Sequence, residues 1–409
     1  MGEINRSEAD RPVMEPVPGA EIASRVAGLQ AGLRDEGLAL ALIRQAADLF
    51  YYTGTLADGF LAVGPVGDPL LLARRPQYRL LAGESPWPLT FYQDLKEIPA
   101  ILTQRGFSAQ GPVGLELDVL PAALYLTLKE KFFPGRALKD LSPLIRRQRM
   151  IKSPYELAQL RRAAAILDAA MAAVPGLLRP GLTELELAAA LEYRLRLSGH
   201  QGLIRTRAWN LELFYGHVLS GRAGLAGAYT DTPSGGLGFS PAFPQGPSLK
   251  KLAPGEPISV DLAACVNGYA VDSTRMFALK SLPPRAWEAW AAVTQIYRVF
   301  TSEARPGVAA GKLYQRLREE ARAQGLKEFF MGRGADRVNF LGHGVGLELD
   351  EYPFLTARFP YPLQADMVLA FEPKFFLPEI GMVGLEDTGR ITPDGVEWLT
   401  QSPREVIVV

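Results

Sequence analysis

The chain has 409 residues, of which 48% are hydrophobic and 22% are charged, and this composition is typical of a globular protein rather than a disordered or fibrous one. Lysine plus arginine and aspartate plus glutamate both number 44, so the formal net charge is zero. The sequence shows no basic stripe that could neutralise phosphates, so nucleic acid is not an expected partner. A chain of this length predicts two domains.

Cysteine use and the N-terminal sequence indicate a cellular compartment. The single cysteine cannot form an intramolecular disulfide, and MGEINRSEADRPVMEPVPG is polar and acidic where a signal peptide needs a basic start and an apolar run. No apolar run approaches the roughly 18 to 20 residues of a membrane span. We therefore expect a soluble, cytoplasmic protein with no membrane partner.

The first part of the chain predicts a small α/β domain. After a loose tail to about Pro18, apolar runs at 38–42, 60–63 and 70–72 alternate with polar and Gly/Pro segments, and LPAALYLTLKEKFF is a later helical candidate. We place the boundary near residue 148, which gives an N-terminal α/β domain over 1–148 and a second domain over 149–409.

The second domain is expected to open with a helix. In the basic segment LIRRQRMIKSPYELAQL, Ser153 can cap a helix, Pro154 suits its first turn, and Glu156 completes a capping box.

A weak internal repeat follows. RPGLTELELAAALEYRLRLSG (179–199) and RPGVAAGKLYQRLREEARAQG (305–325) share an Arg-Pro-Gly start, a helical pattern and a final glycine. Each is preceded by another predicted helix, 154–173 and about 285–302, and each is followed by apolar, strand-like segments. This pattern predicts two similar α-plus-β halves facing each other, with a cleft between them that is suited to a functional site.

The segment ISVDLAACVNGYAVDSTRMFAL predicts a hairpin, because two β-favouring runs flank Asn267-Gly268. A two-residue turn there places Asp261 opposite Thr274 and makes Asp272 its diagonal neighbour on the same face, about 7 to 8 Å away at the backbone. Two ionised carboxylates on an apolar hairpin repel each other and are costly to desolvate. A bound cation would remove both penalties.

The second half repeats this arrangement. In DMVLAFEPKFFLPEIGMVGLEDTGRIT, Glu372 and Glu386 lie in successive apolar runs, with a turn predicted at 378–381. Together with His343 in the glycine-rich FLGHGVGLELDEYP, the four carboxylates make five oxygen and nitrogen ligands. Four negative charges in one cleft predict two divalent ions, about 3.5 to 4 Å apart, that activate a bridging water and polarise a substrate oxygen.

These residues resemble the pita-bread metallohydrolases, which include aminopeptidase P, prolidase, methionine aminopeptidase and creatinase. The KSPYELAQLRRAA junction after an α/β domain is similar to the aminopeptidase P and prolidase branch. The resemblance implies an α/β N-terminal domain and an α+β pita-bread C-terminal domain with a pseudo-twofold internal repeat. Carried over position by position, it assigns the metal ligands to Asp261, Asp272, His343, Glu372 and Glu386.

The resemblance also implies an activity. A hydroxide bridging two ions (manganese, cobalt, zinc or iron) would attack an amide carbonyl, with Glu372 accepting a proton besides acting as a ligand. The expected substrates are short peptides with proline second, as for an Xaa-Pro aminopeptidase or a prolidase-like dipeptidase, and the expected assembly is a homodimer.

Three departures from the family pattern stand out. The second histidine of HGxGLxxHExP is replaced by Asp350, and no histidine lies between the Ser-Gly step at 220–221 and Asp261, so His217 is the nearby candidate for a substrate contact. Asp350 and His217 are therefore candidate catalytic residues. Lys374 after Glu-Pro and an alanine in Asp-x-Gly replace glycines, and we expect both changes to be minor for metal binding.

The role of Asp350 has several alternatives. Its carboxyl group can be protonated in a buried site, bind a cationic substrate group, or engage a metal ion or an arginine such as Arg275. The Gly/Pro-rich segment near 224–247 is expected to cover the cleft and favour small substrates.

Two other functions compete with peptide hydrolysis. One is C–N hydrolysis or lyase chemistry on a small metabolite, which the Asp350 departure favours. The other is a non-catalytic homologue that binds a peptide or protein partner and keeps metal for structure.

Overall fold

The computed structural model describes residues 16–409. Contacts between Cα atoms divide the chain into two compact units, with the division between Gln148 and Arg149. Most of the loose tail predicted up to Pro18 lies outside the described residues, and the first helix begins at Gly19. Over residues 16–409, every helix is too short or too polar to cross a membrane.

The first unit is an α/β domain built on a six-stranded sheet, with strand order β4-β3-β2-β1-β5-β6. The central strand β1 pairs antiparallel with β2 and parallel with β5, so the sheet is mixed. The strands are β1 Leu40–Ile43, β2 Asp58–Val63, β3 Leu70–Arg75, β4 Leu89–Phe91, β5 Val113–Leu115 and β6 Leu138–Asp140. The helices are α1 Gly19–Asp35, α2 Ala46–Thr53, α3 Gln77–Leu81, α4 Ile98–Gln104, α5 Ala122–Thr127 and α6 Ser142–Met150.

Two helix pairs begin the two halves of the second unit, as the repeat predicts. They are α7 Pro154–Leu177 with α8 Glu184–Leu197, and α9 Pro284–Glu303 with α10 Ala310–Ala323. The predicted start of α7 is confirmed, because the Ser153 side chain accepts the Glu156 backbone N–H and the Glu156 carboxylate accepts that of Ser153.

The second unit carries a nine-stranded sheet. Seven strands follow the order β11-β10-β12-β15-β9-β8-β7, while β16 pairs with β15 and β17 with β9. The strands are β7 Gly216–Ser220, β8 Pro257–Val266, β9 Tyr269–Ala278, β10 Phe340–Gly344, β11 Glu351–Thr356, β12 Val368–Phe371, β15 Glu386–Thr392, β16 Gly395–Trp398 and β17 Ile407–Val408, and β13 Lys374–Leu377 and β14 Gly381–Gly384 form a separate hairpin.

The β8–β9 hairpin has the predicted register. Asp261 is paired with Thr274, and the pairing continues to the Asn267-Gly268 turn, where both residues have positive φ, 47° and 88°. Asparagine and glycine tolerate this conformation, which matches the twist of a two-residue hairpin. The sequence thus places Asp261 and Asp272 on one face of a fully buried hairpin.

The second pair of carboxylates lies where two strands begin and end. Glu372 follows β12, and Glu386 is the first residue of β15. Because Phe371 of β12 pairs with Asp387 of β15, the next position brings Glu372 beside Glu386. The predicted turn near 378–381 is confirmed as the connection between β13 and β14. The central strands of one sheet therefore carry all four carboxylates.

Candidate active site

The five side chains that the sequence singled out for metal binding line a single cavity of about 710 Å³. Asp261 comes from β8, Asp272 from β9, His343 from β10, Glu372 from the end of β12 and Glu386 from β15. These strands are neighbours in the sheet, so residues far apart in sequence become adjacent.

His343 faces the two glutamates across a short gap. Its Nε2 lies 3.7 Å from Glu372 Oε1 and 3.9 Å from Glu386 Oε1, while its Nδ1 lies 3.3 Å from the Gly344 carbonyl oxygen. A proton on Nδ1 would bond that carbonyl and leave the Nε2 lone pair directed at the carboxylates. Ligand atoms of Asp272, His343 and Glu386 lie within 4.8 Å of one another, a spacing at which one metal ion can bind all three.

Lys374 occupies the opposite side of the same cluster. Its Nζ donates hydrogen bonds to Glu372 Oε2 at 2.8 Å, Glu386 Oε2 at 3.0 Å and Asp261 Oδ2 at 3.1 Å. The residue is only 1% exposed. The ammonium group thus contacts three of the four predicted carboxylate ligands, a contact that the expectation of a minor effect on metal binding did not include.

The four carboxylates carry more negative charge than one lysine can balance. Burial, together with the charges of Glu386 and Asp261, raises the pKa of Asp272 well above its ordinary value. Burial also raises the pKa of Glu386 to about 8, against the opposing effect of Lys374. The pKa of Asp261 is lowered, because Lys374 and His217 outweigh the effect of its burial. The remaining negative charge favours a further cation.

One atom in the cluster points to where that cation fits. Glu386 Oε1 is buried and has no hydrogen-bond partner within residues 16–409, although the residue is only 1% exposed. An unsatisfied buried carboxylate oxygen is costly. Since the same oxygen faces His343 Nε2, the donor set fits a divalent ion at the histidine side of the cluster.

A buried arginine supports the strands beneath the cluster. Arg275 Nη2 donates to Asp387 Oδ1 at 2.6 Å, and its Nη1 donates to the Glu386 carbonyl oxygen at 2.7 Å. Thr274 Oγ1 adds a hydrogen bond to Glu386 Oε2 at 2.8 Å. Arg275 therefore holds the backbone of a predicted ligand and does not pair with Asp350, which rules out that alternative.

Asp350 lies in the cavity lining, where its carboxylate holds a neighbouring loop. Its Oδ1 accepts the backbone N–H of Arg207 at 2.7 Å, and its Oδ2 accepts that of Ala208 at 2.8 Å. Both oxygens are thus engaged by the segment that carries Trp209 and Leu211 to the cavity wall. Asp350 shapes this wall, and its two hydrogen bonds are not directed at the metal-ligand cluster.

His217 lies on β7 directly opposite Asp261 and lines the cavity. Its ring packs edge-on against Phe214, with centroids 5.4 Å apart, and its buried Nδ1 has no hydrogen-bond partner in the described part of the chain. Burial lowers the pKa of His217, although Asp261 opposes this effect. A neutral imidazole here can bind a polar substrate group.

A second buried ion-pair cluster anchors the loop after His343. Glu351 accepts hydrogen bonds from Arg149 Nη2 and from Lys152 Nζ, the latter at 2.7 Å. These two cations outweigh the effect of burial and lower the pKa of Glu351 to about 2. Its carboxylate also accepts the Glu348 backbone N–H at 3.0 Å. Glu351 therefore has a structural role, because it holds the loop between His343 and Asp350 to the residues just before α7.

The rest of the cavity wall is largely apolar and aromatic. It comes from the segment before β7, from part of the Gly/Pro-rich 224–247 segment and from β10 and β11, and it includes Trp209, Leu213, Phe214, Tyr229, Phe340 and Phe354. Residues 229–234 of the segment expected to cover the cleft line the cavity, and coverage of the cleft by the whole 224–247 segment stays a prediction. A cavity of this size, lined by both apolar and charged groups, suits a small amphipathic ligand.

The sequence carries a local signal for the contact between Lys374 and Glu372. In extended backbone, residues two apart project to the same side, so Glu372 and Lys374 point the same way. The same rule links Asp272 and Thr274 on β9. No comparable signal marks the contact of Asp350 with Arg207 and Ala208, because the separation in sequence is 143 and 142 residues and the segment around Arg207 has no regular secondary structure.

Comparison with known proteins matches two family models to the chain. Residues 158–393 match the metallopeptidase family M24, and residues 25–151 match the creatinase/prolidase N-terminal domain. The chain is 27% identical over 368 residues to an Xaa-Pro dipeptidase of Pyrococcus furiosus, across 89% of this chain and 94% of the relative.

Solved structures show the same similarity over the whole chain. The prolidase of Pyrococcus horikoshii OT3 superposes with a TM-score of 0.78 at 26% identity, over 94% of this chain and 100% of that one. The dipeptidase PepE of Mycobacterium ulcerans gives 0.79 at 26% identity, over 97% and 100%. These matches confirm the resemblance and the fold class that the sequence indicated. The chain belongs to metallopeptidase family M24, with a creatinase/prolidase N-terminal domain preceding the pita-bread domain.

Proposed function

We propose that this metallopeptidase hydrolyses short peptides at an Xaa-Pro bond, as a prolidase-like dipeptidase or an Xaa-Pro aminopeptidase. The observation that carries the proposal is the convergence of four carboxylates and His343 in the lining of one cavity of about 710 Å³. That volume lies within the range of small-ligand pockets, about 300 to 1,000 Å³. The names of the relatives supply the Xaa-Pro preference.

The proposed ligands for divalent metal are Asp261, Asp272, His343, Glu372 and Glu386, and manganese, cobalt, zinc and iron are the candidate ions. When bound, such an ion supplies Lewis-acid polarisation of the scissile carbonyl and activates water. Glu372 is proposed to take the proton that water loses, at Oε1, the oxygen that Lys374 does not hold.

The remaining groups of the cavity position the peptide. His217 is proposed to bind a substrate carbonyl or carboxylate oxygen through its ring, since its Nδ1 is buried without a partner in residues 16–409. The wall beside it, with Phe214 and Tyr229, offers apolar surface to a proline ring. Asp350 is proposed to act indirectly, by holding the 207–211 segment in place.

A substrate panel tests this proposal. Metal-stripped protein is loaded in turn with manganese, cobalt, zinc and iron and offered Xaa-Pro dipeptides, Xaa-Pro-Yaa tripeptides and matched peptides with alanine in place of proline. We expect hydrolysis of the proline peptides and at least about tenfold lower kcat/KM for the alanine peptides. The absence of turnover on every peptide with every metal would contradict the proposal.

The same panel separates the competing functions. Turnover of small amidino or carboxylated metabolites without peptide hydrolysis would favour the non-peptide C–N hydrolase or lyase. Peptide binding without turnover, unchanged when Glu372 is replaced by glutamine, would favour a non-catalytic homologue. The hydrogen bonds of both Asp350 oxygens to the backbone of Arg207 and Ala208 weaken the case for altered chemistry at this residue.

Three further features belong to the proposal. The functional division is 1–148 and 149–409, which agrees with the contact boundary at Gln148. The setting is cytoplasmic, since the single cysteine, Cys265, is buried and free. The assembly is a homodimer, as the resemblance to prolidases implies.

The Asp350 anchor leads to a testable prediction. Asp350→Ala leaves the backbone N–H groups of Arg207 and Ala208 without their acceptor, and the released segment should raise KM about tenfold with a smaller change in kcat. Steady-state kinetics and the rate of proteolytic cleavage near 205–211 measure both effects. The exposed Asp394→Ala should change neither. An unchanged KM in Asp350→Ala would show that the anchor does not shape the substrate pocket.

A further inference from the structure

The position of Lys374 bears on how many metal ions the centre binds. Its ammonium group has three N–H donors, and three carboxylate oxygens lie at 2.8, 3.0 and 3.1 Å from Nζ, in Glu372, Glu386 and Asp261. Each donor thus has a charged acceptor at normal hydrogen-bond distance. A metal ion bound to the same three oxygens would need to occupy nearly the same point.

The lysine stem is fixed as firmly as its charged end. The Lys374 carbonyl oxygen accepts the Met331 backbone N–H at 2.9 Å, and the side chain is 2% exposed. Gly384 is its partner on β14, and a Cβ at that position would overlap Lys374 Cγ. The stem therefore passes through space that a glycine leaves open, and it cannot swing aside without disturbing the β13–β14 hairpin.

The carboxylate oxygens of the cluster face either Lys374, on what we call the lysine side, or His343, on the histidine side. Glu372 and Glu386 each direct Oε2 to Lys374, while each Oε1 faces His343 Nε2 at 3.7 and 3.9 Å. Asp261 lies on the lysine side, bonded to Nζ. Asp272 lies close enough to His343 and Glu386 for all three side chains to bind the same metal ion. Glu386 Oε1, which is buried without a hydrogen-bond partner in the described residues, also lies on the histidine side, so this side offers a buried oxygen ligand to a cation.

We propose that the centre binds one divalent ion, at the His343 side, and that the Lys374 ammonium group takes the place of a second ion. The sequence alone predicted two ions from four carboxylates, without counting the lysine as a cation. Lys374 and one divalent ion together balance three of the four negative charges and leave about one unbalanced. Hydrogen bonds to the buried carboxylates can stabilise this remaining negative charge. Lys374 thereby holds Asp261 Oδ2 and both Oε2 atoms in place before any metal arrives.

This inference deepens the proposed function, because it concerns the same centre. It makes Lys374 a positioning residue for the metal ligands rather than a group that reacts with the peptide. It also predicts a lower metal content than four carboxylates suggest. The Lewis-acid role then belongs to a single ion beside His343, and Asp261 serves chiefly to hold the ammonium group.

Metal stoichiometry in the absence of substrate tests the inference. Metal-stripped full-length protein is titrated with Mn²⁺ by calorimetry, and the metal retained after gel filtration is measured by elemental analysis. We expect one ion per chain in the unsubstituted protein and two in Lys374→Gly, which frees three carboxylate oxygens and the space of the stem. Electron paramagnetic resonance should show an isolated Mn²⁺ in the former and coupling between neighbouring ions in the latter.

Lys374→Met provides the matched control, since it keeps much of the stem volume and removes the charge. We expect it to bind one ion, because the apolar stem still fills the second position. Lys327→Gly, on the surface away from the cluster, should behave like the unsubstituted protein. Thermal unfolding of each metal-free variant checks folding, and the result for the unsubstituted chain stands even if Lys374→Gly does not fold.

Two outcomes overturn the inference: two ions bound per chain with Lys374 present, or no ion bound to the unsubstituted protein at millimolar Mn²⁺, Co²⁺ or Zn²⁺. The peptidase proposal fails separately. A protein that binds two ions and cleaves Xaa-Pro peptides would contradict only the role of Lys374, whereas a protein that binds one ion and cleaves none of the panel would contradict only the substrate assignment.

Discussion

Glu386→Gln is expected to lower kcat/KM by at least about 10³-fold, which corresponds to about 4 kcal/mol of transition-state stabilisation. The amide oxygen can keep the hydrogen bonds from Lys374 and Thr274 that now reach Oε2. Its NH2 group would then replace Oε1, the buried oxygen that faces His343 and is suited to bind a cation. An NH2 group has no lone pair to offer a metal ion, so ion binding should weaken sharply.

The same substitution should not weaken the metal-free fold. The folded-state pKa of Glu386 is raised to about 8 from an ordinary value of 4.5. A carboxyl group with a raised pKa makes the folded state less stable as pH rises from about 4.5 towards 8, since the group ionises freely in the unfolded chain but is held protonated in the folded one. A neutral amide avoids this loss, so near neutral pH the metal-free variant should unfold at the same temperature as the unsubstituted protein or higher.

Steady-state kinetics and thermal unfolding with and without metal measure both effects. The metal-induced rise in unfolding temperature should be largely lost in Glu386→Gln. Glu397→Gln is the control, because Glu397 lies on the neighbouring strand β16 and pairs with Arg390 and Arg161 outside the cluster. It should leave kcat/KM within about twofold. A Glu386→Gln protein that keeps its metal-induced shift and a tenth of its activity would exclude Glu386 as a ligand.

Arg275→Met should lower the free energy of unfolding by about 3 to 5 kcal/mol, the usual cost of removing one partner from a buried ion pair. Arg275 is 2% exposed and donates hydrogen bonds to Asp387, to the carbonyl oxygens of Ser402, Glu386 and Thr274, and to the Ser273 hydroxyl. Methionine fills part of the volume but leaves these acceptors unsatisfied. Asp387 would retain Arg404 and Tyr297 as partners, which limits the loss.

The sequence itself offers the control, since Asp272-Ser-Thr-Arg275 and Glu386-Asp-Thr-Gly-Arg390 are similar segments. Arg390 is partly exposed, and its pairs with Asp366 and Glu397 lie near the surface. Arg390→Met should therefore cost no more than about 1 kcal/mol. Urea unfolding of the metal-free proteins, followed by fluorescence, compares the two. Equal losses in both variants would show that burial of the Arg275 pair adds nothing to stability.

The sequence was sufficient for much of the fold because its strongest signals are local. Asn267-Gly268 needs only positive φ at two adjacent residues, and that requirement sets the register that brings Asp261 and Asp272 to one face. Ser153 and Glu156 satisfy each other across one turn, so the start of α7 is equally local. The family resemblance extended these local results to His343, Glu372 and Glu386.

Contacts between distant segments were not predictable in this way. Asp350 was assigned several alternatives, and the structure gives its oxygens to the backbone of Arg207 and Ala208. The sequence also leaves the partner of Arg275 undetermined. The pairing of β9 with β15 brings its guanidinium group to Asp387. In both cases, the side chain has several possible acceptors at the level of sequence, and only packing selects one.

The amino-acid sequence by itself determined the two-domain organisation, the paired helices and the hairpin that carries Asp261 and Asp272 on one face, because capping, turn and alternation patterns act between near neighbours. Only the tertiary structure decided that the Lys374 ammonium group lies among three of those acids. That contact depends on the order of β8, β12 and β15 in one sheet and on the space that Gly384 leaves for the lysine stem, and together these hold four charged groups at hydrogen-bond distance within a buried site.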